Sequence, residues 1–124
     1  MSVEDIQLAK QFLETLAAAV KTGDRDAVYP LLAPDVEWST PKRDLRGIDE
    51  ARDQLTWISP PASLDVEFDE PEITDLGGGR VVSDVHETYR MKGTGEFAYV
   101  RDRRIELTIR EGKIARYELR FTGT

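Results

Sequence analysis

At 124 residues the chain has the length of one domain, 1–124, with a single sizeable core, and its 40% hydrophobic share suits a globular fold. A formal net charge of −7 opposes nucleic acid and anionic membranes, both of which demand a basic surface. Cysteine and asparagine are both absent, which excludes disulfides, thiolate nucleophiles, cysteine metal sites and N-linked glycans.

The N-terminus reads as acidic and amphipathic rather than as a signal peptide, and no apolar run has membrane length, so a cytoplasmic protein is expected. Ser2 and Asp5 form a capping-box pattern, and Ile6, Ala9, Leu13, Leu16, Ala17 and Val20 share a stripe, predicting a helix over 3–21 that Gly23 ends. Asp24 caps a second helix over 25–32 with Ala27, Val28, Leu31 and Leu32 as its apolar face, kinked or shortened by Pro30. A brief strand, 36–39, precedes a third helix over 48–57, opened by Gly47 and stopped by Ser59-Pro60-Pro61.

From Leu64 the apolar period falls from three or four residues to two. Strands are predicted over 64–74, interrupted at Pro71 by an edge or a bulge, and over 80–92, 96–110 and 113–121. Gly77-Gly78-Gly79, Gly93-Thr94-Gly95 and Glu111-Gly112 turn the chain between them. Helices first and long strands after predict helices on one face of an antiparallel sheet. The stretch 95–110 would extend roughly 50 Å at about 3.3 Å per residue, so in a domain of this size it must bend and leave a hollow.

Strand parity decides which side chains face that hollow. Ala115, Tyr117, Leu119 and Phe121 share one face of the last strand. In the strand before it, Phe97, Tyr99, Ile105, Leu107 and Ile109 fall together with Arg101 and Arg103, provided no bulge resets the register. Val81, Val85, Tyr89 and Met91 fall together with Glu87. One acid and two arginines thus enter an apolar row, where a charge must be paired. Two readings stand side by side: a structural ion pair, or the polar end of a ligand pocket. His86, the only histidine, falls on the opposite face and reads as a solvated sheet residue. Trp38 and Trp57 read as core residues or as the lining of a pocket mouth. No nucleophile elbow, Walker loop, dinucleotide fingerprint or metal-ligand cluster is present, so neither metal nor cofactor is expected.

The stretches 12–14, 21–28 and 31–38, the helix start Gly47-Ile48-Asp49-Glu50-Ala51 and the hairpin 111–117 resemble the SnoaL-like branch of the nuclear transport factor 2-like superfamily. The resemblance implies a cystatin-like α+β cone, three N-terminal helices on a strongly curved antiparallel sheet, and a homodimer paired through the outer sheet face. It also implies a place among ketosteroid isomerases, limonene epoxide hydrolases, polyketide cyclases and non-enzymatic adaptors. Carried over by position, the isomerase base falls at Thr40, its oxyanion tyrosine at Leu16 and its second donor near Arg103. The epoxide hydrolase acid falls at Glu87, its arginine at Val85 and its second aspartate at Leu119. Thr40, Leu16 and Leu119 lack the chemistry of those roles.

The expected protein binds a small apolar, oxygenated compound. Glu87, Arg101 and Arg103 are its candidate catalytic groups, and Trp38, Trp57, Tyr89, Tyr99, Tyr117, Leu119 and Phe121 its candidate ligand contacts. A non-catalytic binding or scaffold module is the alternative.

Overall fold

The computed structural model describes residues 3–41, 43–55 and 62–122. In chain order it contains α1 (Val3–Thr22), a 3₁₀ turn (Tyr29–Leu31), β1 (Leu32–Ser39), β2 (Asp44–Arg46), α2 (Gly47–Leu55), β3 (Leu64–Phe68), β4 (Glu72–Gly77), β5 (Arg80–Met91), β6 (Phe97–Arg110) and β7 (Lys113–Phe121).

The first helix forms as its stripe dictates. Ala9, Phe12, Leu13, Leu16 and Ala19 are buried, Glu4 and Asp5 sit at the positive end of the dipole, and Lys21 at the negative end. Gly23 adopts φ 79°, and its N–H closes the helix on the Ala19 carbonyl at 2.8 Å.

The second expected helix does not form. Residues 25–28 make a turn, with the Val28 N–H on the Arg25 carbonyl at 3.0 Å. Pro30 then permits only the 3₁₀ turn, and Leu32 is already extended at φ −94°, ψ 143°. A proline six residues past the cap leaves too little helix on its N-terminal side to hold together. Among the described residues the cone therefore carries two α-helices, not three, and β1 begins at Leu32 rather than at residue 36. The end expected for the last helix, at 56–57, lies outside the described residues.

The sheet runs β2-β1-β7-β6-β5-β3, with β4 also on β5. It is curved and unclosed. All pairings are antiparallel except β1 with β7, which is parallel, so the sheet is mixed rather than wholly antiparallel. Alternation in the sequence assigns faces, not the direction of pairing between strands far apart in the chain.

β3 and β4 lie one after the other along β5, with Phe68 opposite Glu87 and Glu72 opposite Asp84. The break between them, 69–71, is where Pro71 was expected to interrupt the strand.

Buried side chains form two groups. The larger joins α1, β1 and the inner faces of β5, β6 and β7. The smaller joins Leu64, Val66 and Tyr89, with Val20, Phe68 and Tyr99 against them. In the larger group Trp38 stacks on Tyr117, ring centroids 3.9 Å apart at 16°, and Phe12 meets both rings edge-on.

The outer face of the sheet closes its own charges. Arg104 bonds to Asp84 at 3.0 Å, Arg116 to Glu37 at 2.8 Å, His86 Nδ1 lies 2.5 Å from Asp102, and Arg80 pairs with Glu106. Contact with Asp102 raises the His86 pKa above its ordinary value, and the ring faces away from the interior.

Among the described residues no helix is long and apolar enough to cross a membrane.

Candidate functional site

Between the two buried groups lies a cavity of about 620 Å³, walled by α1, the start of β4's approach at 69–71, and the inner faces of β5, β6 and β7. It opens where α1 no longer packs directly on the sheet, beyond the core that Phe12, Leu13 and Leu16 form with β5, β6 and β7. Ala17 and Ala18, which line it, supply no bulk where more is needed to fill the cone.

The β5–β6 register is continuous from Arg80↔Thr108 to Tyr89↔Tyr99, and shifts only beyond it. No bulge intervenes between Arg101 and Ile105, so Arg101 and Arg103 both face inward and both line the cavity.

Glu87 stands on the same wall and is 2% exposed. Its cross-strand neighbour is Arg101, yet its partner is the diagonal Arg103, whose Nε lies 2.5 Å from Oε1. The carboxylate oxygen sits off the N–H axis, so the contact is coulombic rather than an aligned hydrogen bond. The Tyr89 hydroxyl donates to Oε2 at 3.3 Å. No aligned hydrogen bond from Arg103 therefore fixes the carboxylate, and among the described residues its one side-chain hydrogen bond is the one from Tyr89. Burial raises the Glu87 pKa above its ordinary value, while Arg103, Tyr89 and Arg101 oppose the rise. Burial also raises the Tyr89 and Tyr117 hydroxyls, which keeps both protonated.

Of the other residues singled out in the sequence, Trp38, Tyr89, Tyr99, Tyr117 and Leu119 line the cavity. Tyr89 and Tyr99 stack with centroids 4.5 Å apart at 18°. Phe121 does not line it. It is 49% exposed at the end of β7, and its ring covers the guanidinium groups of Arg101 and Arg103 from outside at 5.5 and 5.4 Å. Phe97, 60% exposed, and Met91 also fall outside the interior, because they lie past the last stretch of sheet that α1 covers and beside the register shift. Trp57 lies outside the described residues. Among those described, no three His, Cys, Asp or Glu side chains converge as metal ligands.

The sequence reading missed the α1 wall, Leu13, Glu14, Leu16 and Lys21, and the segment 68–71 at the mouth. The stripe on α1 was legible, but a stripe does not say whether it meets the sheet or a void.

The model of the SnoaL-like domain matches residues 12–117. The chain belongs to the SnoaL-like family, in the nuclear transport factor 2-like superfamily. Solved structures with the same fold include an NTF2-like protein of Anabaena variabilis, 16% identical over 100% of this chain and 94% of that one, TM-score 0.82. A candidate isomerase of Bacillus subtilis is 16% identical over 98% of this chain and 90% of that one, TM-score 0.75. A candidate polyketide cyclase of Xanthomonas campestris pv. campestris is 20% identical over 93% and 90%, TM-score 0.68. No curated protein matches the chain significantly.

The six positions at which the resemblance places catalytic groups, Leu16, Thr40, Val85, Glu87, Arg103 and Leu119, all line the cavity.

Proposed function

We propose that this SnoaL-like protein binds a ring-bearing, oxygenated small molecule in its cavity and moves a proton on it without a cofactor, with Glu87 as the proton carrier. The observation that carries this reading is Glu87 itself: a buried carboxyl on the wall of an open cavity, raised in pKa by desolvation and paired with Arg103 without an aligned hydrogen bond. A carboxyl so placed exchanges a proton near neutral pH more readily than a solvated one. The aromatic walls, Trp38 on Tyr117 and Tyr89 on Tyr99, suit a flat apolar body.

In this scheme Glu87 accepts a proton from carbon beside a carbonyl and returns it elsewhere. Ring closure by aldol addition and migration of a double bond both begin with that step. Arg103 keeps the carboxylate form accessible despite burial, and Tyr89 fixes the orientation of the carboxyl group.

The test uses 2-tetralone and related bicyclic ketones. Binding should raise the melting temperature, and NMR in D₂O should show deuterium entering the carbon next to the carbonyl. Glu87→Gln should slow that exchange by about 10²–10⁴-fold. Ketones that bind while the Glu87→Gln rate equals that of the wild type would make the protein a binder. A panel that neither binds nor exchanges removes the reading.

A further inference from the structure

Two arginines and one buried acid share the cavity wall, and the acid is taken by only one of them. Arg101 has no carboxylate within ion-pair reach among the described residues. It acts on Glu87 only at longer range, and three rings surround it: Tyr89, Tyr99 and Phe121, whose centroids lie 5.6, 5.8 and 5.5 Å from the guanidinium carbon. Those faces hold the planar group in place without satisfying its N–H donors, which a ring cannot do in the plane of the guanidinium. A half-buried cation without a carboxylate of its own, on a largely aromatic wall, favours an anion.

We propose that Arg101 is the receptor for an anionic group on the ligand, so that the cavity takes an aromatic carboxylate in preference to its uncharged counterpart. The assignment rests on reading the cavity as a ligand pocket. It does not require that Glu87 be catalytic.

The mouth leaves the orientation to Arg101. Glu14, Asp69 and Glu70 stand there with Lys21, and Lys10 lies 4.0 Å from Glu14 and 3.6 Å from Glu70. With the mouth acids largely balanced by these lysines, the carboxylate end of a ligand is drawn to Arg101, whose fork matches the two oxygens. The apolar body then lies toward α1. Arg103 is a poorer receptor, because an anion there competes with Glu87.

Calorimetric titration with 2-naphthoate and 2-naphthamide tests this. The wild type should bind the carboxylate about tenfold or more tightly than the amide, since a charge-assisted bond contributes about 1.5–3 kcal/mol. Arg101→Gln should abolish that preference, weakening naphthoate much more than naphthamide. Should R101Q fail to fold, R101K is read instead: it keeps the charge but loses the fork, and should weaken naphthoate more than naphthamide and narrow the preference. Equal wild-type affinities, a preference that R101Q or R101K retains in full, or failure of both probes to bind overturns the assignment. Deuterium exchange on 2-tetralone is read separately. Preference without exchange leaves Arg101 as the receptor and removes the proton-transfer reading, and exchange without preference does the reverse.

Discussion

Replacing Arg103 with methionine keeps most of its apolar stem and removes its charge. Glu87 would then be a carboxylate buried at 2% exposure, with one hydroxyl bond at 3.3 Å and Arg101 across the strand. Two unit charges about 4 Å apart attract by about 4 kcal/mol at an effective dielectric constant of about 20. Breaking a fully buried pair by removing one partner costs about 3–5 kcal/mol. The Arg103 side chain is 19% exposed, and Glu87 escapes part of the penalty by taking up a proton, so the expected loss at neutral pH is about 2–4 kcal/mol. In a domain of this size that lowers the melting temperature by about 10 °C. Urea denaturation reads it directly. The double variant R103M/E87Q removes both members of the buried pair and should recover most of the loss, within about 1 kcal/mol of the wild type. An R103M variant as stable as the wild type, or a double variant no better than R103M, would refute the picture of an acid kept ionisable by one arginine.

Burial raises the folded-state pKa of Glu87 above its ordinary 4.5, so between those values the folded chain holds a proton that the unfolded chain has released. The stability this provides is present at acid pH and lost as pH rises through the folded value. The unfolding free energy of E87Q relative to the wild type should therefore climb with pH across that window, and a pH-independent difference contradicts it. Gly79 sits at φ +80°, where an added Cβ would lie 2.5 Å from the Ile109 carbonyl oxygen, whereas Gly78, at φ +64°, has nothing within 4 Å. Gly79→Ala should cost about 2 kcal/mol beyond Gly78→Ala in chemical denaturation, and equal costs would mean the contact relaxes freely. Pairing of two copies through the outer sheet face is tested by light scattering at low and high salt. Because each copy closes its own ion pairs there, a dimer should persist at high salt, and one that dissociates would show that charges between copies hold it.

The strand pattern was legible because alternation is strict where one face is buried: β7 runs Lys113–Phe121 as its apolar period implies, and the same parity turns Glu87, Arg101 and Arg103 inward. Which arginine takes the acid was not legible. The answer is diagonal rather than cross-strand, and it depends on rotamers that period-2 reasoning does not reach. The second helix was misread because Ala27, Val28, Leu31 and Leu32 have helical spacing while Pro30 forbids the bond that spacing needs. Phe121 and Phe97 were misread because parity assigns a face but not whether anything covers it at the end of a strand.

The most direct test is NMR titration of the glutamate side-chain carboxyl carbons in the folded protein, with E87Q supplying the assignment. The account predicts that the resonance missing from E87Q titrates above 4.5 and shifts when 2-tetralone is added. A Glu87 that titrates at or below 4.5 and ignores the ketone would contradict it.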